Sequence, residues 1–190
     1  MKQEILQLTG GAGKDKRRAL DFYPTPPECT IALLHFLHDN ALAFETTCTI
    51  WEPACGELKS MSKVISGFGH KVISTDIITG TDFLNCSPID CDAIITNPPF
   101  NLSTEFIRRS TKICRISAML LKSQYWHAKE RLPLFNELQP AWVLPLTWRP
   151  DFLFHERKNN EKGSPTMEVA WSVWIRGNNQ TRYQPLNRPK

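Results

Sequence analysis

Short apolar runs alternate with amphipathic stretches from residue 48 onward, and this alternation is the strongest pattern in the chain. Each run is bounded by polar or turn-forming residues and has the length of a buried strand. The predicted strands, in chain order, are CTIWE, KVISTDI, CDAIIT, RISAMLL, AWVLPL and EVAWSVWI. Stretches such as SMSKVISGFG and STEFIRRSTKI have the apolar spacing of helices. The pattern predicts βαβ units and therefore an α/β fold, a doubly wound parallel sheet with helices on both faces.

A further helix is predicted before the first strand, where residues 25–28 read TPPE. Thr25 is expected to cap this helix, with a proline in the first turn and Glu28 completing a capping box. Apolar residues then recur at helical spacing until Asn40. In STEFIRRSTKI, the expected N-cap is Ser103 or Thr104.

Length and composition indicate a single globular domain. The chain has 190 residues and 41% are hydrophobic, which suits one core. We expect a flexible leader at 1–20, the domain at 21–176 and a polar basic tail at 177–190. No apolar run approaches the ~20 residues that span a bilayer, and residues 1–18 lack a signal-peptide pattern. A cytoplasmic protein that is monomeric and not membrane-bound is therefore expected.

The cysteines and histidines do not predict a metal site. None of the six cysteines forms a C-x-x-C pair, and several fall within predicted strands or helices, where Cys behaves as a small hydrophobe. His35 and His38 share a predicted helix but lack further ligands. The glycines before Lys14 do not have the spacing of a phosphate-binding loop. We therefore interpret the cysteines as reduced and buried, and reject a metal protein and a phosphate-loop NTPase.

Polar side chains follow several of the predicted strands. Glu52, Asp76, Asn97 and Lys122 each stand at or just past a strand end. Because ligands of open α/β sheets bind at the carboxyl ends of the strands, these are the first residues to consider for a site.

The most specific motif is Asn97-Pro98-Pro99-Phe100, directly after CDAIIT. The prolines alone would be explained by a rigid loop, but the position brings an amide, a carbonyl and a ring to the ligand end of the sheet. An amine conjugated to a ring is a weak nucleophile, because its lone pair is delocalised. The Asn97 oxygen and the Pro98 carbonyl can accept its two hydrogens and stabilise the charge that develops on nitrogen. Phe100 can stack on a base flipped out of a duplex. The motif therefore predicts methylation of an amino group.

With its flanking motifs, this tetrapeptide resembles the N6-adenine DNA methyltransferases, particularly small phage and prophage forms, over residues 21–176. The resemblance implies a class I, Rossmann-like methyltransferase fold with a mostly parallel seven-stranded sheet, in which EVAWSVWI is antiparallel. It implies S-adenosylmethionine as cofactor and DNA as partner, with a flipped adenine methylated at N6 by residues 97–100; a phage-encoded form would act in the host cytoplasm. The implied cofactor-binding residues are Phe22, Tyr23, Thr25, Glu52, Pro53, Cys55, Gly56, Asp76, Ile77, Asp82 and Phe83.

The family pattern assigns each of these motifs to a part of the cofactor. Residues 21–26 resemble an F-x-T-P element that packs on the cofactor's methionine end, and residues 52–56 resemble the first motif, EPACG. Asp76 matches the acidic residue that binds the ribose hydroxyls, and residues 82–83 match a motif near the adenine. The first motif departs from EPACG-x-G-x-M, since its second glycine is absent and an extra residue precedes Met61. Either a Cβ where the backbone should approach the ligand weakens cofactor binding, or the extra residue re-routes the turn.

Contacts with DNA are expected from residues 123–140 and from the loop 147–167. The net charge of +4 permits a polyanionic partner without demanding one. Aromatic side chains of the loop could approach bases: Trp148, Phe152 or Phe154. The residues expected to meet phosphates are Arg149, Arg157, Lys158 and Lys162.

Other readings of the same motif stay open. Cytosine N4, adenine N6 in RNA and a glutamine side-chain amide all present a planar, conjugated NH₂ group, which the tetrapeptide does not distinguish. A non-catalytic nucleic-acid-binding module on a methyltransferase scaffold is the alternative of another class, and the altered first motif favours it.

Overall fold

The computed structural model describes residues 23–40, 46–156 and 163–190. Within them the chain forms four α-helices, seven strands and several short 3₁₀ turns. The helices are α1 (Pro27–Asp39), α2 (Ser60–Gly67), α3 (Ser103–Ile113) and α4 (Leu132–Glu137). The strands are β1 (Thr49–Glu52), β2 (Lys71–Ser74), β3 (Ala93–Thr96), β4 (Ile116–Lys122), β5 (Trp142–Pro145), β6 (Val169–Ile175) and β7 (Arg182–Tyr183). The 3₁₀ turns are Ile77–Thr79, Phe100–Leu102, Ser123–His127, Lys129–Arg131 and Phe154–Glu156.

All seven strands belong to one sheet, in the order β2-β1-β3-β4-β6-β5-β7. The pairs β1–β2, β1–β3, β3–β4 and β5–β7 are parallel, whereas β6 is antiparallel to both of its neighbours. This confirms the predicted fold, including the one antiparallel strand. The carboxyl ends of the parallel strands form one edge, which we call the carboxyl edge; the start of β6 lies at the same edge, because that strand runs the other way.

Apolar side chains are buried on both faces of the sheet, because successive residues of a strand point to opposite faces. On one face Ile95 of β3 belongs to a core that includes residues of α1 and α2. The neighbouring Ile94 belongs to a second core with Phe106 and Ile107 of α3. All four residues of β3 are buried, which explains why this strand reads as a continuous apolar run.

Two expected helix caps are wrong. Pro26, not Thr25, is the N-cap of α1, and no side chain caps that helix. The N-cap of α3 is Leu102, while the Ser103 hydroxyl donates backward to the carbonyl of Phe100 at 3.0 Å. Thr25 is drawn into a tertiary hydrogen bond instead, which outweighs the local capping preference.

The seventh strand lies in the segment expected to be a polar tail. β7 pairs with β5 at the sheet edge, and Leu186 behind it is 6% exposed. The Leu186 amide donates to the Pro145 carbonyl at 2.8 Å, and its own carbonyl accepts from Thr147. Arg188 then forms an ion pair with Glu28 of α1 at 3.2 Å. The leader at 1–20 lies outside the described residues.

Within the described part of the chain, no helix is long and apolar enough to cross a membrane, and no cluster of three potential ligands could hold a metal ion. All six cysteines are described and carry free thiols; four are buried, whereas Cys86 and Cys91 are half-buried.

Candidate functional site

A cavity of about 260 Å³ opens at the carboxyl edge, over the ends of β1, β2 and β3. Three strand-end residues that the sequence singles out, Glu52, Asp76 and Asn97, meet in its wall. The complete lining is Tyr23, Pro24, Thr25, Glu52, Ala54, Cys55, Gly56, Ser60, Met61, Asp76, Ile77, Ile78, Asn97, Pro98, Pro99 and Phe100. The cavity therefore joins the tetrapeptide to most of the residues expected to hold the cofactor.

The β1–α2 turn forms one wall of the cavity. The Cys55 amide donates to the Thr75 carbonyl at 3.1 Å, and Gly56 has a φ of 59°, in the left-handed region that favours glycine. Lys59, with a φ of 47°, is a second left-handed residue and the N-cap of α2. The extra residue before Met61 is thus absorbed by a left-handed kink at Lys59, after the turn has passed Gly56.

Asp76 ties this turn to the end of β2. Its Oδ2 accepts from the Gly56 amide at 2.7 Å, and its Oδ1 accepts from the Ile78 amide at 3.0 Å. Each carboxylate oxygen keeps further acceptor capacity beyond that single bond. Beside it, Ile77 and Ile78 are 69% and 56% exposed. A carboxylate next to two exposed apolar side chains can bind hydroxyls on one side and a flat apolar group on the other.

Glu52 lies at the floor of the cavity and is 2% exposed. Burial raises the pKa of its carboxyl from 4.5 to about 7, the hydrogen bonds from Ser62 oppose this shift, and the nearby Asp76 charge adds to it. The Ser62 hydroxyl donates to the Glu52 carboxyl and lies 2.6 Å from the Ser74 hydroxyl. This polar cluster links β1, α2 and β2 beneath the cavity.

The Asn97 amide has a fixed orientation. Its Nδ2 donates to the Thr25 hydroxyl at 3.1 Å and lies 3.4 Å from the Tyr23 carbonyl. Thr25 is itself held, since its carbonyl accepts from the Ser60 hydroxyl at 2.7 Å. Both donors of the amide thus face the segment before α1, and no hydrogen bond among the described residues engages Oδ1. The side chain presents an acceptor at the cavity wall.

Phe100 follows in the 3₁₀ turn that leads into α3. Its ring centroid is 6.4 Å from that of Tyr23, and the Lys122 ammonium lies 4.4 Å from the ring centre. The fourth strand-end residue, Lys122, thus stands over the aromatic ring of the tetrapeptide and not in the cavity lining.

Some predicted cofactor-binding residues do not line the cavity. Asp82 accepts from the Leu84 amide at 2.9 Å and from the Asn85 amide group at 2.5 Å, so it organises its own turn. Phe83 is 2% exposed and packs in the second core. Pro53 is not among the lining residues. Phe22 lies outside the described residues.

A second, wider groove of about 910 Å³ lies over β4, β6 and β5 at the carboxyl edge. It is lined by Ser123, Trp126, His127, Phe135, Val143, Pro145, Leu146, Thr147, Trp148, Arg149, Pro165, Glu168, Ala170 and Tyr183. Trp126 and Phe135 fall within the expected contact segment 123–140, whereas Tyr183 was not predicted, because it is distant in the chain and joins the groove only through the strand order.

The residues expected to contact DNA are only partly described. Arg149 lines the groove and forms an ion pair with Glu168 at 2.6 Å, with both side chains more than half exposed. Trp148 lines the groove as well, whereas Phe152 is 4% exposed and packs in the core. Phe152 is therefore not placed to reach a base, because its ring is buried in the core. Arg157, Lys158 and Lys162 lie outside the described residues.

Comparison with known proteins finds similar folds and no similar sequence. No protein-family model matches the chain, and no curated protein matches it in sequence. A proposed RNA methyltransferase from Pyrococcus horikoshii superposes with a TM-score of 0.58 at 12% identity, over 80% of this chain and 85% of that one. The chain has a class I methyltransferase fold. A Thermoplasma acidophilum protein superposes with a TM-score of 0.57 at 14% identity, over 82% of this chain and 90% of that one.

A third neighbour is much longer than this chain. The methyltransferase subunit of a type I restriction-modification system from Streptococcus thermophilus superposes with a TM-score of 0.56 at 8% identity. The match covers 86% of this chain and 47% of that subunit, so the chain spans about half of its length. At such low identities these likenesses establish the fold alone.

Proposed function

We propose that this protein is an S-adenosylmethionine-dependent methyltransferase that transfers a methyl group to adenine N6 in DNA. The observation that carries the proposal is the fixed Asn97 amide, whose donors are engaged by Thr25 and Tyr23 at the wall of the cavity. The amide oxygen is left as an acceptor beside the backbone of Pro98 and the ring of Phe100. Acceptors held in advance of the reaction are what amine methylation requires.

The remaining wall of the cavity suits S-adenosylmethionine, which supplies an activated methyl group when bound. Asp76 offers free acceptor capacity to ribose hydroxyls, and Ile77 and Ile78 offer an apolar surface to the adenine ring. Gly56 allows the backbone to come close to the ligand. Tyr23 and Thr25 stand on the side of the tetrapeptide, where the methionine end is expected.

The chain's own residues would act on the substrate amine. Asn97 Oδ1 and the Pro98 carbonyl accept its two hydrogens, which favours a pyramidal nitrogen with a localised lone pair. As positive charge develops on that nitrogen, both acceptors interact with it more strongly than in the ground state. Phe100 offers a stacking surface to the base, while Lys122 keeps a positive charge near the ring.

DNA is the proposed substrate because the second groove continues the carboxyl edge beyond the cavity. Aromatic surface is supplied there by Trp126, Trp148 and Tyr183. Arg149 could exchange its ion pair with Glu168 for one with a DNA phosphate. The neighbours include a restriction-modification methyltransferase subunit and a proposed RNA methyltransferase, so RNA must be tested beside DNA.

The test is single-turnover methylation of adenine-containing duplex DNA by the wild type and by Asn97→Ala, with nucleosides identified by mass spectrometry. The wild type should produce N6-methyladenine, and Asn97→Ala should be ~10²–10³-fold slower with unchanged cofactor affinity, by analogy with lost oxyanion-hole donors. Asn101→Ala is the matched control, since Asn101 is exposed in the adjoining turn.

Three results would contradict the proposal. Methylation by Asn97→Ala at the wild-type rate would remove the tetrapeptide from the chemistry. N4-methylcytosine, or product only with RNA or a glutamine peptide, would keep the mechanism and replace the substrate. Cofactor binding without any methylated product would favour a non-catalytic nucleic-acid-binding module.

A further inference from the structure

Two thiols lie side by side at the opposite edge of the sheet, where the parallel strands begin. Cys91 comes two residues before β3, and Cys114 comes two residues before β4. These strands pair in parallel with Ala93 opposite Ile116. Both thiols pack on the other face of the sheet from Ala93 and Ile116, in the core that contains Phe106 and Ile107.

The side-chain geometry brings the two thiols into contact. The two sulfur atoms are 3.6 Å apart, and Cys114 has extended backbone angles, with φ −116° and ψ 154°. Neighbouring strands lie about 4.8 Å apart, which is within the Cα separation of about 4.4–6.8 Å that disulfides span. At such a spacing, a disulfide would form by rotation of the two side chains with little movement of the strands.

We propose that Cys91 and Cys114 form an oxidative modification site, a paired dithiol that hydrogen peroxide converts to an intramolecular disulfide. Cys91 is half-buried and Cys114 is 2% exposed, so the pair is open on one side to a small oxidant. The site is separate from the cavity, because the amino ends of β3 and β4 lie at the far edge of the sheet from Asn97.

The reaction balances with one peroxide for each pair of thiols. A hydrogen bond from the Cys91 thiol lowers the pKa of Cys114, whereas burial opposes this shift; in the proposed reaction Cys114 supplies the thiolate. That thiolate attacks the peroxide, the O–O bond breaks, and a sulfenic acid and hydroxide form; the hydroxide takes up the proton that the Cys114 thiol had released and becomes water. The Cys91 sulfur then attacks the sulfenic sulfur and loses its proton, so that an S–S bond forms and a second water leaves.

The bond would close the segment 91–114, which carries β3, the tetrapeptide and α3. Closing a loop of this length restricts the unfolded chain, so the oxidised protein should unfold about 5–10 °C higher than the reduced protein.

The experiment treats the full-length reduced protein with dilute hydrogen peroxide, alkylates the remaining thiols after denaturation, and maps peptides with and without dithiothreitol. Cys91 and Cys114 should lose alkylation together, and a linked peptide should disappear on reduction. Cys86 is the internal control, since it is the other half-buried cysteine. In Cys91→Ser, the sulfenic acid on Cys114 should persist and be trapped by dimedone.

The proposal is overturned if Cys91 and Cys114 both remain alkylated while Cys86 is oxidised, or if their linkage joins two molecules. A Cys91→Ser protein that does not fold leaves the wild-type peptide map as the deciding measurement. None of these readouts depends on methyl transfer, so failure of this proposal and failure of the proposed function can be told apart.

Discussion

Removing the Thr25 hydroxyl tests whether the orientation of Asn97 matters for catalysis. Thr25→Val keeps the shape of a side chain that is 4% exposed but deletes the acceptor that holds Asn97 Nδ2 at 3.1 Å. The Tyr23 carbonyl, at 3.4 Å, is then the remaining partner of that amide group, and the amide can rotate so that its oxygen leaves the position required by the substrate.

The size of the effect follows from the surroundings of Asn97. A buried donor without a partner costs about 1–3 kcal/mol. Asn97 is half-buried in the wall of an open cavity, so water replaces part of the lost bond and we expect the lower part of this range. A loss of about 1–2 kcal/mol from the transition state corresponds to a rate about 5- to 30-fold lower.

The assay is single-turnover methylation at saturating cofactor, with a cofactor titration and urea unfolding of the same samples. Thr25→Ser is the matched control, since it keeps the hydroxyl, and its rate should stay close to that of the wild type. If Thr25→Val weakens cofactor binding but methylates at the wild-type rate once saturated, the hydroxyl serves the cofactor and the reasoning about Asn97 is refuted.

Three further changes test the rest of the cavity. Asp76→Ala should weaken cofactor binding about tenfold or more, because charge-assisted hydrogen bonds are lost, and calorimetry against Asp90→Ala, an exposed control, checks this; equal affinities would remove Asp76 from the site. Phe100→Ala should raise the apparent KM for DNA, since stacking is worth about 1–3 kcal/mol per base, and an unchanged KM would argue against a stacked base. Burial raises the pKa of Glu52 from 4.5 to about 7. Between these two pH values, the folded protein holds a proton that the unfolded chain has already released. The free energy of unfolding should therefore fall by about 2–3 kcal/mol more in the wild type than in Glu52→Gln between about pH 5 and about pH 8. Urea unfolding at both pH values measures this difference, and parallel behaviour of the two proteins would contradict it.

The fold was predictable because its signals are local and repeated. Strands such as β3 and β6 are buried almost throughout, so their apolar runs carry the strand pattern without ambiguity. The antiparallel direction of β6 came from the family resemblance and not from periodicity, which does not encode strand direction. β7 was missed, since two exposed residues give no apolar signal and their place depends on pairing with β5.

The candidate site was predictable where residues follow strand ends. Asp76 and Asn97 meet because β1, β2 and β3 are parallel neighbours with their carboxyl ends together. Phe83 was assigned to the cofactor by resemblance, but the ring packs against Trp51 and Phe106, with centroids 5.1 and 4.7 Å away. A motif match does not reveal which side of the sheet a ring faces, and the Phe83 ring is buried in the second core.

Thr25 shows why the contacts that support Asn97 could not be predicted from the sequence. A Thr-Pro-Pro-Glu sequence predicts a capped helix, and local chemistry alone supports that reading. The hydroxyl instead meets Asn97, a residue 72 positions away, and the Thr25 carbonyl meets Ser60. Both partners become neighbours only after β1 and β3 have paired, so the fold itself converts a capping residue into the support of the proposed catalytic amide.

The altered β1–α2 turn bears most directly on the choice between an enzyme and a decayed scaffold. The sequence lacks the second glycine of the family pattern, which suggests a lost cofactor contact. In the structure the irregularity falls at Lys59, in the left-handed region, after the chain has passed Gly56. The Gly56 amide still reaches Asp76 at 2.7 Å, and Ser60, one residue past the kink, reaches back to Thr25. The departure from the pattern thus leaves the contacts that join the cofactor side of the cavity to the tetrapeptide, which favours a working site over a decayed one.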